Sequence, residues 1–167
     1  IGTGKIGRVF ADICRGFGMK VLAYDKFPNP EAGLDYVELD ELFEKSDVIS
    51  LHCPLFPSTE KIINASSIAK MKDGVILVNM ARGAVTDEAA VAAALEAGKI
   101  GALGCDVYSV EPFPESHPYY AIRSRENVLL TPHMSWGAYE ARARCLSEMI
   151  LNMRAFFAGE ERNRVDI

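Results

Sequence analysis

The sequence predicts an α/β protein built on a doubly wound parallel sheet, and three observations carry that prediction. Short apolar runs alternate with segments of helical length along the whole chain. The run Val75-Ile76-Leu77-Val78-Asn79 is apolar almost without alternation, the pattern of a parallel strand covered on both faces. A glycine turn, Gly2-x-Gly4-x-x-Gly7, opens directly into an amphipathic run. Right-handed crossovers at each connection then place helices on both faces of the sheet. Counting Ile1 as the stub of a first strand, the pattern gives about seven strands.

The elements follow in order. Ile6, Val9, Phe10, Ile13, Cys14 and Phe17 repeat at helical period, and Gly18 stops that helix. Val21-Leu22-Ala23-Tyr24 is a second strand ending at Asp25. A polar loop, Lys26 to Gly33, leads to a short strand at Tyr36-Val37-Glu38 and a short helix from Asp40 to Lys45. Asp47 to His52 reads as a buried strand closed by Cys53-Pro54, since proline cannot continue a central ladder. Asn64 caps a helix running to about Lys72, and Asp73-Gly74 turns the chain into the Val75–Asn79 strand. Thr86 or Asp87 caps an Ala-rich helix that ends before Gly98, and Gly101 to Asp106 is another strand. A proline-rich loop carries Pro112, Pro114 and Pro118. Val128-Leu129-Leu130 is the last strand, and a long helix runs from about Gly137 to Ala158. Its rows of Cys145, Met149, Met153, Phe156 and of Leu146, Ile150, Phe157 serve as core or as a docking face.

Composition narrows the function classes. The 167 residues are 49% hydrophobic and 25% charged, enough for one domain with a real core. A net charge of −5 without a basic cluster argues against nucleic acid and anionic membrane as partners. No apolar run reaches membrane-spanning length and no signal peptide is visible. Four scattered cysteines fit a reduced, cytoplasmic protein, and three scattered histidines argue against a metal site.

The glycine turn has a specific chemistry. Gly2 permits a tight turn, Gly4 lets backbone approach a pyrophosphate, and Gly7 lets the helix pack close to the sheet. The first-turn N–H groups, at Lys5 and Ile6, then face a diphosphate with the helix dipole behind them. Asp25 stands about 20 residues on, at a strand end, where a dinucleotide fold needs a carboxylate for the adenosine ribose. A carboxylate there repels a 2′-phosphate, so NAD is favoured over NADP. This is a Rossmann-type pattern whose first strand is truncated. It reads as a single NAD-binding domain over residues 1–167, N-terminally incomplete, with any substrate domain mostly outside the chain.

Ligands of such sheets bind beyond the carboxyl ends of the strands. Those ends carry the glycine loop, Asp25, His52-Cys53-Pro54, Asn79-Met80-Ala81-Arg82-Gly83, Asp106 and Thr131-Pro132-His133. Together with Val107 and Val110-Glu111-Pro112, the ordered set resembles the nucleotide-binding domain of the D-isomer-specific 2-hydroxyacid dehydrogenases. Pro132-His133-Met134-Ser135-Trp136 is most similar to the glycerate dehydrogenase and hydroxypyruvate/glyoxylate reductase branch.

Reducing a 2-oxo acid requires a hydride donor, a proton donor at the carbonyl and a cation for the carboxylate. Nicotinamide provides the hydride. Arg82 provides a planar fork that matches a carboxylate and stays charged. His133 is the acid/base, because an imidazole titrates near working pH. The resemblance implies that Glu111 partners His133, a carboxylate favouring the protonated ring. A Glu there departs from the formate dehydrogenase branch, which has Gln. The resemblance further implies that Asp106 bonds the nicotinamide amide and that Cys53, Pro54 and Thr59 pass under the adenosine and diphosphate. Met80, Ala81, Arg82 and His133 complete the implied cofactor set. Trp136 either walls the pocket or covers a domain interface.

The expected function is NAD-dependent interconversion of a small 2-oxo acid and its D-2-hydroxy acid, hydroxypyruvate or glyoxylate favoured, in a cytoplasmic homodimer. The other reading is a non-catalytic NAD(H)-sensing module of the co-repressor type, which the same family resemblance allows. The chain by itself is expected to be inactive, because it cannot close over substrate without the upstream lobe.

Overall fold

A computed structural model describes residues 1–165. The chain divides into two compact units, residues 1–132 and residues 133–167.

The first unit is a parallel sheet flanked by helices, the doubly wound class the alternation predicts. After the glycine turn comes α1 (Lys5–Gly16), then β1 (Leu22–Ala23), β2 (Asp35–Tyr36), α2 (Leu39–Lys45) and β3 (Val48–Leu51). There follow α3 (Ala65–Lys70), β4 (Val75–Asn79), α4 (Glu88–Glu96), β5 (Ile100–Cys105), α5 (Pro118–Ile122) and β6 (Val128–Leu130). Every strand pairing is parallel. β3-β4-β5-β6 form one four-stranded sheet and β1-β2 a separate pair.

Ile1 and Gly2 join the two sheets. The Ile1 nitrogen donates to the Ser50 carbonyl at 2.8 Å and its carbonyl accepts from the His52 N–H at 2.8 Å. On the other side, the Gly2 N–H donates to the Tyr24 carbonyl at 2.8 Å. Ile1 thus occupies a strand position between β1 and β3, and with it the six strands among the described residues make the seven that the pattern gives. Below it lies a cavity of about 560 Å³, lined by residues that include Phe10, Leu22, Ala23, Leu42 and Ile49.

One core underlies the four-stranded sheet. Leu51, Leu77 and Leu103 pack with Phe43 of α2, Ile68 of α3, Val91 and Leu95 of α4, and Ile122 of α5. The opposite face is less covered than the apolar run at β4 predicts. Ile76 is 41% exposed, and Val48 of β3 and Leu129 of β6 are exposed with it. Burial along β4 therefore alternates, as the two-residue period requires when one face alone is packed.

α1 also leaves an apolar row uncovered. Its buried residues are the small ones, Gly7 and Ala11, while Ile6 at 74% and Phe17 at 83% lie open together with Val9 and Ile13. Small residues let the helix backbone sit close, and the apolar row then points away. α5 and two short 3₁₀ turns, Pro30–Ala32 and Gly83–Val85, lie where the sequence reads as loop.

The second unit holds α6 (Tyr139–Ala158), close to the predicted bounds, with Gly159 in the left-handed conformation behind it. Of its residues only Ala155 is buried; Met149, Met153 and Phe156 are exposed, so this row is a surface within its unit. Among the described residues no helix is long and apolar enough to cross a membrane.

Candidate cofactor and substrate site

The glycine turn is fixed by close contacts at two positions and left open at the third. Gly2 has φ +92°, and a Cβ there would lie 2.4 Å from the Cys53 nitrogen. A Cβ on Gly7 would lie 2.1 Å from the Gly2 carbonyl oxygen. Gly4 has no such neighbour within 4 Å. It is the N-cap of α1, and no side chain caps that helix. The close approach at Gly2 also sets Cys53-Pro54 against the turn. Cys53 is buried, and burial pushes its thiol above the ordinary range.

Asp25 is tied to the same turn. Its Oδ2 accepts from the Thr3 N–H at 2.7 Å and the Thr3 hydroxyl at 3.0 Å, and its Oδ1 accepts from the Phe27 N–H at 3.0 Å. The Tyr36 hydroxyl donates to the Thr3 hydroxyl oxygen at 2.9 Å. Burial would raise the Asp25 carboxyl, but the N–H groups of Phe27 and Thr3 and the Thr3 hydroxyl outweigh it and hold it below the usual carboxylate range. A carboxylate has about four lone-pair sites, so Asp25 keeps acceptor capacity for a ligand.

His52, at the end of β3, packs its ring on Phe10 with centroids 4.9 Å apart and shares a hydrogen bond with the Ser50 hydroxyl at 2.9 Å. Burial lowers its pKa to about 4, so the ring is neutral at working pH. Thr59 spends its hydroxyl inside its own loop, donating to the Pro54 carbonyl at 2.6 Å while accepting from the Phe56 N–H at 2.8 Å. It shapes the segment that begins at Cys53-Pro54.

The turn after β4 is built by Asn79, a buried residue whose role the sequence did not disclose. Its Oδ1 accepts from the Ala81 N–H at 3.0 Å and its Nδ2 donates to the Arg82 carbonyl at 3.0 Å. That Asx-type closure sets the backbone from Met80 to Arg82. The Arg82 guanidinium donates to the Ala81 carbonyl at 2.7 Å and stays exposed. Met80 is exposed as well. The next residue makes the decisive contact: a Cβ on Gly83 would lie 1.9 Å from the Tyr108 carbonyl carbon.

That contact brings the Arg82 turn against the loop after β5. Asp106, 1% exposed, donates its N–H to the Asn79 carbonyl at 3.1 Å, and its Oδ1 accepts from the Thr131 hydroxyl. Glu111 Oε1 accepts from the Tyr108 N–H at 2.9 Å. Tyr108, with its phenol driven upward by burial, donates to the Thr131 carbonyl at 2.8 Å. Arg82, Asp106 and Glu111 therefore stand on adjoining segments.

His133 opens the second unit in the left-handed conformation, φ +51°. Its carbonyl accepts from the Trp136 indole N–H at 2.7 Å, and the Gly137 N–H closes a turn on the Met134 carbonyl at 2.7 Å. Trp136 thereby braces the His133 backbone, a role the sequence did not disclose.

A glycine turn feeding an uncapped helix, a carboxylate at the next strand end and a parallel sheet define a dinucleotide-binding domain. Residues 1–135 match the family model described as D-isomer specific 2-hydroxyacid dehydrogenase, NAD binding domain, and the chain belongs to that family. It is 46% identical to the hydroxypyruvate reductase of Blautia hydrogenotrophica over 169 residues, covering 99% of this chain and 52% of that protein. It is 41% identical to the glycerate dehydrogenase of Methylorubrum extorquens over 166 residues, covering 99% of this chain and 51% of that one. A crystal structure of Aquifex aeolicus D-lactate dehydrogenase complexed with NAD and lactic acid superposes with a TM-score of 0.88 at 37% identity, over 95% of this chain and 52% of the other. The chain spans about half the length of the curated relatives it matches.

Proposed function

We propose that this chain is the coenzyme-binding part of an NAD-dependent dehydrogenase that interconverts a small 2-oxo acid and its D-2-hydroxy acid, with hydroxypyruvate or glyoxylate favoured. The observation that carries this reading is the Gly83 contact, which sets the Arg82 turn against the segment bearing Glu111. The names of the two relatives above support the choice of acid.

The residues present fit the dinucleotide. Gly4 leaves open space where its neighbours Gly2 and Gly7 are crowded, so nothing inside the fold requires glycine at that position. The unserved N–H groups at Lys5 and Ile6 suit a diphosphate, and the remaining acceptor capacity of Asp25 suits a ribose diol. Cys53, Pro54 and Thr59 would border it on one side, and Met80, Ala81 and Asp106 on the other. When bound, NADH supplies the hydride. Arg82 pairs bidentately with the substrate carboxylate. His133 delivers the proton to the carbonyl oxygen in reduction and removes it in oxidation. Glu111 favours the protonated imidazole and holds its orientation. A cytoplasmic homodimer is the proposed setting, and the open apolar row of α1 offers such a dimer a contact surface.

The test is NADH oxidation by the intact natural protein, wild type and His133→Ala, with hydroxypyruvate, glyoxylate and pyruvate, and NADPH in parallel. Expected are turnover that prefers NADH and its loss in His133→Ala, with NADH affinity nearly unchanged. Equal loss of turnover and NADH affinity would remove the acid/base role from His133. Tight NADH binding without turnover on any of the acids would favour an NAD(H)-sensing module of the co-repressor type.

A further inference from the structure

Glu88, the first residue of α4, is 8% exposed and lies outside the residues assigned to cofactor or substrate. Both of its carboxylate oxygens are nevertheless engaged. Oε1 accepts from the Ser109 N–H at 2.9 Å, and Oε2 accepts from the Ser109 hydroxyl and from His117 Nε2 at 2.9 Å. His117 is 7% exposed, and its Nδ1 accepts from the Tyr119 N–H at 3.1 Å as the cap of α5. An Nδ1 that accepts leaves the ring proton on Nε2, so His117 is the donor to Glu88. The His117 ring is packed between Phe113 and Tyr119, with centroids 4.9 Å and 5.2 Å away.

We propose that Glu88 and His117 are positioning residues, a buried clamp that fixes both ends of the segment carrying Glu111. One end is Ser109, beside the Tyr108 N–H that bonds Glu111; the other is His117, where the segment enters α5. A buried carboxylate needs several donors, and both sets come from this segment alone, so its energetic interest lies in holding that loop. Because Gly83 packs on the Tyr108–Ser109 backbone, the clamp also sets the Arg82 turn. The inference rests on the catalytic reading of Arg82 and Glu111 given above.

The test compares wild type, Glu88→Ala and Glu88→Gln in the intact natural protein. The amide of Gln keeps an acceptor for the Ser109 N–H but sets a donor against His117 Nε2–H, so half the clamp survives. Expected in Glu88→Ala are faster amide exchange at Tyr108 and Ser109 and a kcat lowered about 10- to 100-fold, the cost of misplaced catalytic groups. The NADH dissociation constant should move less than about threefold, and Glu88→Gln should fall between wild type and Glu88→Ala in both readouts. Unchanged exchange at Tyr108 and Ser109 would overturn the clamp whether or not the wild type turns over. Faster exchange with unchanged kcat, or a lowered melting temperature alone, would make the cluster structural and overturn the positioning role. A wild type inactive on every acid would refute the catalytic reading itself, and the positioning role with it, while the exchange data would still decide whether Glu88 holds the segment.

Discussion

A Cβ built on Gly7 would lie 2.1 Å from the Gly2 carbonyl oxygen, whereas one built on Gly4 would meet nothing within 4 Å. The fold thus demands the first of these glycines and not the second, which the proposed function assigns to the dinucleotide. Gly7→Ala should cost about 1–3 kcal/mol, the usual penalty of overpacking, measured by urea denaturation. Gly4→Ser should leave stability unchanged or raise it by about a few tenths of a kcal/mol, since serine is the better N-cap. Its expected defect is weaker NADH binding, read by titration of cofactor fluorescence. Equal stability losses in both variants would show that Gly4 is also structural. Residues at the site divide the same way for the sequence reader. The placement of Asp25, Arg82 and Asp106 was legible because their strand ends were legible. The roles of Thr3, Tyr36 and Thr131 were not, because each acts through a partner distant in sequence that the fold brings near, and the role of Asn79 was not, because its turn closure depends on a local backbone path.

At the scale of elements, local chemistry decided what could be read in advance. Asn64 and Ser67 form a reciprocal capping box on α3: the Asn64 side chain accepts from the Ser66 and Ser67 N–H groups, and the Asn64 N–H donates to the Ser67 hydroxyl at 2.8 Å. Asn64→Ala should therefore cost about 1 kcal/mol of stability, visible as a lower denaturation midpoint without loss of cofactor binding. A change below a few tenths would mean that tertiary packing alone holds α3. α5 escaped notice because three prolines dominated its surroundings and its cap is a histidine, a residue outside the usual capping set. Pro118 at its start was the available signal, since proline suits the first helical position. The outward direction of the apolar row of α1 was not legible for a different reason. Period identifies a helix face but not its direction, and here Gly7 and Ala11 win the inner side by being small.

For the whole molecule, hydrogen bonding is unevenly shared between the sheets. The four-stranded sheet is continuous and rests on the main core, while β1 and β2 contribute two residues each and reach it through Ile1 and Gly2. Local stability should follow that division. Amide exchange is expected to be fastest among strand residues at Ala23 and Tyr36 and slowest at Leu77 and Leu103, measured on the chain from Ile1 onward. Uniform protection across both sheets would show that the residues around the cavity close it in solution. The doubly wound class was readable because it depends on alternation, which survives error in any one element. The division into two sheets was not, because it depends on the backbone partners of a single residue.

The Gly83 contact has a consequence for engineering. Any side chain at that position would run into the peptide that follows β5, so the Arg82 turn and the Tyr108–Glu111 segment can only shift as one body. Widening the space around Arg82 from this side would drag Glu111 with it. On the proposed function, a redesign for a bulkier 2-oxo acid has to leave position 83 alone and take its extra room from walls that these two turns do not share.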